Sequence, residues 1–193
     1  MKSIFFCIFF FIVNTLLFSQ DENIHSFWGQ VGVGMSYVKL SDSDVGFNLL
    51  ASVSYEIQNN NFSFTYFRSH EWSFFTRPEE YIKSYEVKYG RSIDFSMRGL
   101  LFPFPLLLFV KKDFDYSIVG KIGLSYNEGL KRTTLIEGNN YSSKFVSGIG
   151  LPIEIEIREE ITSYLGMGLS VHTNFNKVKN YSGVNINFYV GYF

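Results

Sequence analysis

The stretch Val45–Ile57 reads VGFNLLASVSYEI. Val45, Phe47, Leu49, Ala51, Val53, Tyr55 and Ile57 fall at one parity, and Gly46, Asn48, Leu50, Ser52, Ser54 and Glu56 at the other. Successive side chains of an extended chain point to opposite faces, so this pattern predicts a strand with one apolar and one mostly polar side. A helix would need apolar positions three and four apart, and no segment of comparable length offers them.

The same period recurs in both directions. Val31, Val33, Met35 and Tyr37 oppose Gln30, Gly32, Gly34 and Ser36. Phe62, Phe64 and Tyr66 oppose Ser63 and Thr65, and Tyr85, Val87 and Tyr89 oppose Ser84, Glu86 and Lys88. Phe114, Tyr116, Ile118, Ile122 and Leu124 oppose Asp115, Ser117, Lys121, Gly123 and Ser125. Phe145, Ile149, Leu151, Ile153, Ile155 and Ile157 oppose Gly148, Gly150, Glu154 and Glu156. Leu165, Met167, Leu169 and Val171 oppose Gly166, Gly168, Ser170 and His172, and Val184, Ile186, Phe188, Val190 and Tyr192 oppose Asn185, Asn187 and Gly191. The expectation is an all-β chain of about eight antiparallel strands, near the ~9–11 residues that a tilted membrane-spanning strand needs. Residues 58–61 and 158–160 read as tight turns; residues 69–82, 128–142 and 175–182 read as longer polar loops. Short turns at one end and long loops at the other suit an up-and-down membrane barrel. Residues 99–110, GLLFPFPLLLFV, are too short for a membrane helix, and Pro103 and Pro105 disfavour a central strand. They are placed in a connector at the tight-turn end; extra strands there would make ten.

Alternation alone leaves open which face meets water, because a soluble barrel also alternates. Three features favour an inside-out arrangement. The apolar faces carry no Asp, Glu, Lys or Arg, as a lipid-facing wall requires. The polar faces collect glycines at 32, 34, 46, 90, 123, 148, 150, 166 and 168, which suit a narrow enclosed lumen. Tyr37, Tyr55, Tyr66, Tyr85, Phe114, Tyr126, Phe145 and Tyr192 gather toward strand ends, where interfacial aromatic girdles lie. Composition agrees: aromatics are 19% and charged residues 18% of the 193 residues, below the ~25% charged usual in soluble domains. The formal net charge of -1 gives no field to recruit nucleic acid.

Residues 1–20 have the layout of a cleaved signal peptide: Lys2, then an apolar run over 4–18, then Ser19 and Gln20. Residues 21–193 are then the barrel domain. Cys7 is the one cysteine and lies in that leader, so the mature chain has neither disulfides nor thiolate metal sites. His25, His70 and His172 have no spacing that suggests a shared metal, and no cofactor is implied.

With the strand pattern, the glycine-bearing segment Val146-Ser147-Gly148-Ile149-Gly150-Leu151-Pro152 and the terminal Tyr192-Phe193, the chain resembles the small OmpA/OmpX-type outer-membrane barrels of Gram-negative bacteria over about residues 27–193. The resemblance implies an outer-membrane location. It also implies a carboxy-terminal Phe read by the barrel-insertion machinery, with outer-membrane lipid and lipopolysaccharide as surroundings and a monomeric state. Phe193 departs from that pattern, since its parity turns it inward, which leaves the register of the last strand open.

Glu56, Glu86, Lys88, Asp115, Lys121, Glu154 and Glu156 fall on the enclosed parity. Charges away from water must pair, so Lys88 and Lys121 are expected to meet Glu86, Glu154 or Glu156 and to plug the lumen. The leading expectation is a non-enzymatic barrel with a structural or surface-interaction role through its outer loops, where Lys131, Arg132, Lys144, Lys177 and Lys179 are placed to meet lipopolysaccharide phosphates. Porin-like transport of a small or apolar solute is the first alternative. The second is lipid A hydrolysis, with Ser170 as nucleophile, His172 as base and Glu154 or Glu156 as orienting acid. Parity turns Ser170 inward, away from any acyl substrate.

Overall fold

The structure, a computed structural model, describes residues 25–38, 45–71, 81–98, 113–137 and 140–192. Eight strands close into one antiparallel barrel in sequence order: β1 His25–Val38, β2 Val45–Ile57, β3 Asn60–Glu71, β4 Tyr81–Arg98, β5 Asp113–Glu137, β6 Asn140–Thr162, β7 Leu165–Asn176 and β8 Tyr181–Tyr192. The ladder between β1 and β8 runs from Phe27↔Tyr192 to Val38↔Tyr181, so no sheet edge remains in the wall. Following the pairing from Phe27 through Tyr55, Phe62, Tyr89, Ile122, Ile153, Thr173 and Ser182 leads back to β1 at Tyr37. That stagger tilts the strands by roughly 40° from the barrel axis.

The outside carries the charge-free parity of the sequence. Val31, Val33, Phe64, Val87, Leu124, Ile149, Ile155, Val171, Phe188 and Val190 are all exposed, with Val87 at 65%. Aromatic side chains bound this apolar surface at both ends. Phe27, Tyr55, Phe62, Tyr89, Tyr164 and Tyr192 lie toward the end with the tight turns. Tyr37, Phe47, Tyr85, Tyr126 and Phe175 lie toward the other. At 3.3 Å per residue and this tilt, the rise from Phe27 to Tyr37 is about 25 Å, the height of an outer-membrane apolar band. Outward charges keep to the margins: Lys83 pairs with Glu128 at 3.6 Å near the loop end, and Arg91 lies level with the β2–β3 turn.

The expected turn at 58–61 is present, and two other connector assignments change. β2 and β3 are joined by the two-residue turn Gln58-Asn59, both at positive φ (46° and 64°). This is the hairpin geometry that matches strand twist. The expected turn at 158–160 is strand: β6 continues to Thr162 and the turn falls at Ser163-Tyr164. The reason lies inside, where Arg158 takes an inward position with carboxylate and aromatic partners, so its charge does not mark a solvated turn. The expected loop over 128–142 is also largely strand. β5 and β6, of 25 and 23 residues, pair as far as Glu137↔Asn140. Among the described residues, β4 pairs no further than Leu130 and β7 no further than Gly150, and the β5–β6 hairpin continues past both as a two-stranded ribbon. Residues 1–20, 99–110 and Phe193 lie outside the described residues.

A charge at mid-wall tests the inside-out arrangement. Val87→Arg is expected to lower barrel stability in lipid bilayers by about 2–4 kcal/mol, and Tyr37→Arg by about 0–1 kcal/mol. Urea midpoints in liposomes measure both, and equal effects would contradict the assignment of the wall.

Candidate functional site

Among the described residues, the ionisable and polar side chains concentrate in the lumen. Its centre is a chain of alternating charges. Lys88 Nζ lies 3.1 Å from Glu86 and also binds Glu154; Lys121 Nζ lies 3.2 Å from Glu154 Oε1 and 2.8 Å from Glu156 Oε2. All five side chains are nearly inaccessible to solvent. The strands supply them in a fixed way. Glu86 and Lys88 stand two apart on β4 and Glu154 and Glu156 two apart on β6, while Lys121 on β5 is paired in register with Glu154. Gly123, in register with Lys88, lets β5 lie close to β4: a Cβ there would collide with the Val87 carbonyl and Lys88 Cα.

Neutral groups extend the network in both directions. Gln30 Nε2 donates to Glu156 at 3.4 Å. Tyr181 OH donates to Glu86 Oε1 at 2.9 Å, and Ser84 Oγ donates to the same oxygen at 3.0 Å. Toward the tight-turn end, Glu56 accepts from Ser92 and, at 3.1 Å, from Asn61, with Arg158 at 3.8 Å. The Arg158 guanidinium also covers the Trp28 ring at 4.2 Å, a cation–π contact strengthened by burial. Asp115 shares the inward parity, but its side chain is exposed near the mouth.

Above the charges lies an apolar plug that parity-based reading missed. Leu50, Phe67, Ile82 and Tyr181 form a buried cluster inside the lumen, with the Phe67 and Tyr181 rings stacked at 4.7 Å. Trp28 and Tyr189 are buried inward as well. Leu50 shows the available signal: an apolar residue at the polar parity of an otherwise regular strand. Tyr181 was hidden because it falls in the segment that reads as a loop.

The proposed hydrolytic residues are near one another in sequence but not assembled. Ser170 and His172 share the inward face of β7, 1% and 5% exposed. Ser170 Oγ accepts from Asn187 Nδ2 at 2.9 Å, and His172 Nδ1 meets Asn185 Nδ2 at 3.2 Å. His172 Nε2 has no hydrogen bond among the described residues. The imidazole packs edge-on against Phe67 at 4.5 Å. Glu154, paired with His172 in register, gives its oxygens to Lys88 and Lys121. No base-to-nucleophile contact exists, and neither group reaches the lipid-facing surface. Glycine shapes this corner too: a Cβ at Gly183 would stand 2.6 Å from His172 Cε1 and 2.8 Å from Asn48 Nδ2. No cluster of three or more metal-ligating His, Cys, Asp or Glu occurs among the described residues.

Glu154 joins the two lysines, so its loss is the most damaging single change. Glu154→Gln is expected to cost about 3–5 kcal/mol, because it leaves buried cations undercompensated. Glu86→Gln should cost less, since Lys88 keeps Glu154. Unfolding midpoints in detergent or liposomes rank the two, and the reverse order would break the account. Because charges and rings fill the bore, the barrel reconstituted in a planar bilayer is expected to give no steady single-channel conductance.

No protein-family model matches the chain, and no curated protein sequence matches it. Solved structures do. Neisserial surface protein A (NspA) superposes with a TM-score of 0.54 at 16% identity, covering 86% of this chain and 97% of that one. Ail, the attachment invasion locus protein of Yersinia pestis, superposes with a TM-score of 0.53 at 12% identity over 86% of this chain and 97% of its own. Ail in complex with the heparin analogue sucrose octasulfate gives 0.52 at 15% identity, over 87% and 97%. These likenesses span nearly all of each partner and most of this chain, at identities where architecture alone is informative. The chain therefore has the fold of the small eight-stranded transmembrane barrels of the bacterial outer membrane.

Proposed function

We propose that the mature chain, freed of residues 1–20, stands in the bacterial outer membrane as a non-enzymatic monomeric barrel and acts outside the cell through its β5–β6 ribbon. The observation that carries this reading is the continuation of paired strand from Lys131 to Glu137 and from Asn140 to Ile149, beyond the described part of β4 and beyond the end of β7. A barrel needs no such extension to close. The ribbon places Lys131 and Lys144 opposite each other in register, with Arg132 next in line, and the Lys144 side chain is exposed. Like charges directly across a ladder repel, and an external anion relieves that repulsion. Phosphates of lipopolysaccharide, the molecule surrounding such a barrel, are the proposed counter-charge, at about 1 kcal/mol for each cation near an anionic surface.

Neither alternative gains support from the lumen. Transport needs a bore free of the Lys88–Glu154–Lys121 chain and the Phe67–Tyr181 stack. Lipid A hydrolysis needs Ser170 at the lipid face.

The test compares the wild-type barrel with Lys131→Glu/Lys144→Glu for binding of purified lipopolysaccharide in mixed micelles. A drop of tenfold or more that shrinks in high salt or with dephosphorylated lipopolysaccharide supports the reading; equal binding ends it. Ser170→Ala is expected to leave the acylation pattern of cellular lipid A unchanged, and an altered pattern by mass spectrometry would return the hydrolase to first place.

A further inference from the structure

Most glycines among the described residues crowd the lumen, but Gly120, like Gly29, faces out. It sits in register between Arg91 of β4 and Ile155 of β6. The row above it is Tyr89, Ile122 and Ile153; the row below begins with Ile93 and Ile118. A residue without a side chain, ringed by large ones, leaves a recess in the wall. A Cβ added at Gly120 would meet nothing within 4 Å. The recess measures 290 Å³, and Tyr89, Arg91, Ile122, Ile153 and Ile155 are among the residues that line it.

Its position fixes what meets it. The recess lies in the half of the wall nearer the tight turns, with Arg91 level with Asn60 at the foot of β3. Arg91 is exposed and has no ion-pair partner among the described residues. A lone guanidinium at the edge of an apolar wall costs little only where a headgroup can solvate or pair with it. Tyr89 holds the rim in place, donating its hydroxyl to Asn60 Oδ1 at 2.8 Å. An acyl-sized apolar hollow with a phosphate-binding cation at its interfacial end has the two halves of a phospholipid site, since guanidinium forks match phosphate oxygens.

We propose that this recess binds one phospholipid of the inner leaflet, its phosphate on Arg91 and one acyl chain laid against Gly120. The proposal rests on the wall being lipid-facing and is independent of the ribbon.

Native mass spectrometry of the whole barrel, released from micelles supplemented with phosphatidylglycerol, reads the site directly. The wild type is expected to retain one phosphatidylglycerol at collision energies that strip detergent. Gly120→Leu, which fills the hollow, and Arg91→Gln, which removes the cation, should each cut the retained fraction at least fivefold. Gly29→Leu, at an outward glycine outside this recess, should leave it unchanged, as should Lys131→Glu/Lys144→Glu. Heat-modifiable gel migration checks that every variant is folded, and a wild type that fails that check defeats the membrane reading itself. Retention by Gly120→Leu equal to wild type, no retention by the wild type, or lipopolysaccharide held there in place of phospholipid would each overturn the proposal.

Discussion

The charge chain Glu86–Lys88–Glu154–Lys121–Glu156 is the constraint on which the interior of this barrel depends. Its members come from β4, β5 and β6, and the network reaches β1 through Gln30 and β8 through Tyr181. Every link lies in the interior, where water does not compete and where an unmatched charge is costly. A slip of one residue in any of these strands would turn a lysine or glutamate into lipid and an isoleucine or leucine into the lumen. The network therefore fixes register at the same time as it fills space. Its attraction does not need to exceed the cost of burying it; the alternatives only need to be worse.

Filling is shared between chemistries that sort by height. The tight-turn end is closed by Arg158 against Trp28 and Glu56, the middle by the lysine–glutamate chain, and the loop end by Phe67 on Tyr181 with Leu50 and Ile82. Glu86 binds the two upper layers together, since one of its oxygens meets Lys88 and the other accepts from Tyr181. A wall that is smooth and apolar outside thus encloses a core that is polar at its centre and aromatic at both ends. This reverses the usual soluble gradient only in part.

Much of this was legible because period two is a rigid constraint. Val45–Ile57 alone sorts its outward and inward sides, and the glycines at 32, 34, 123 and 168 mark a lumen without any partner being known. The lumen charges were legible as a set, since Lys88, Lys121, Glu154 and Glu156 share a parity with residues that cannot face lipid. Two kinds of information were not. Strand ends are set by which neighbours exist, and polarity does not report that; β5 and β6 look like a loop over 128–142 because the apolar residues there, Leu130, Leu135 and Ile136, do not alternate. Large apolar residues facing inward, such as Phe67 and Ile82, read as noise at the polar parity, because their justification is a ring on a strand far away in sequence. The same distance hides why Ser170 and His172 stand together: their partners are Asn187 and Asn185 on the next strand.

The seam between the first and last strands has a consequence for how the molecule is made. Gly32 and Gly34 present bare backbone to the lumen, and the amides of Asn187 and Asn185 from β8 lie over them. No bulky group on that stretch of β1 has to be moved aside when β8 arrives. The last strand of the barrel can therefore zip onto the first after the remaining wall has formed, and Asn185 and Asn187 settle over Gly34 and Gly32 in the same motion that completes the cylinder. Termination of the growing sheet and sealing of its contents become a single event.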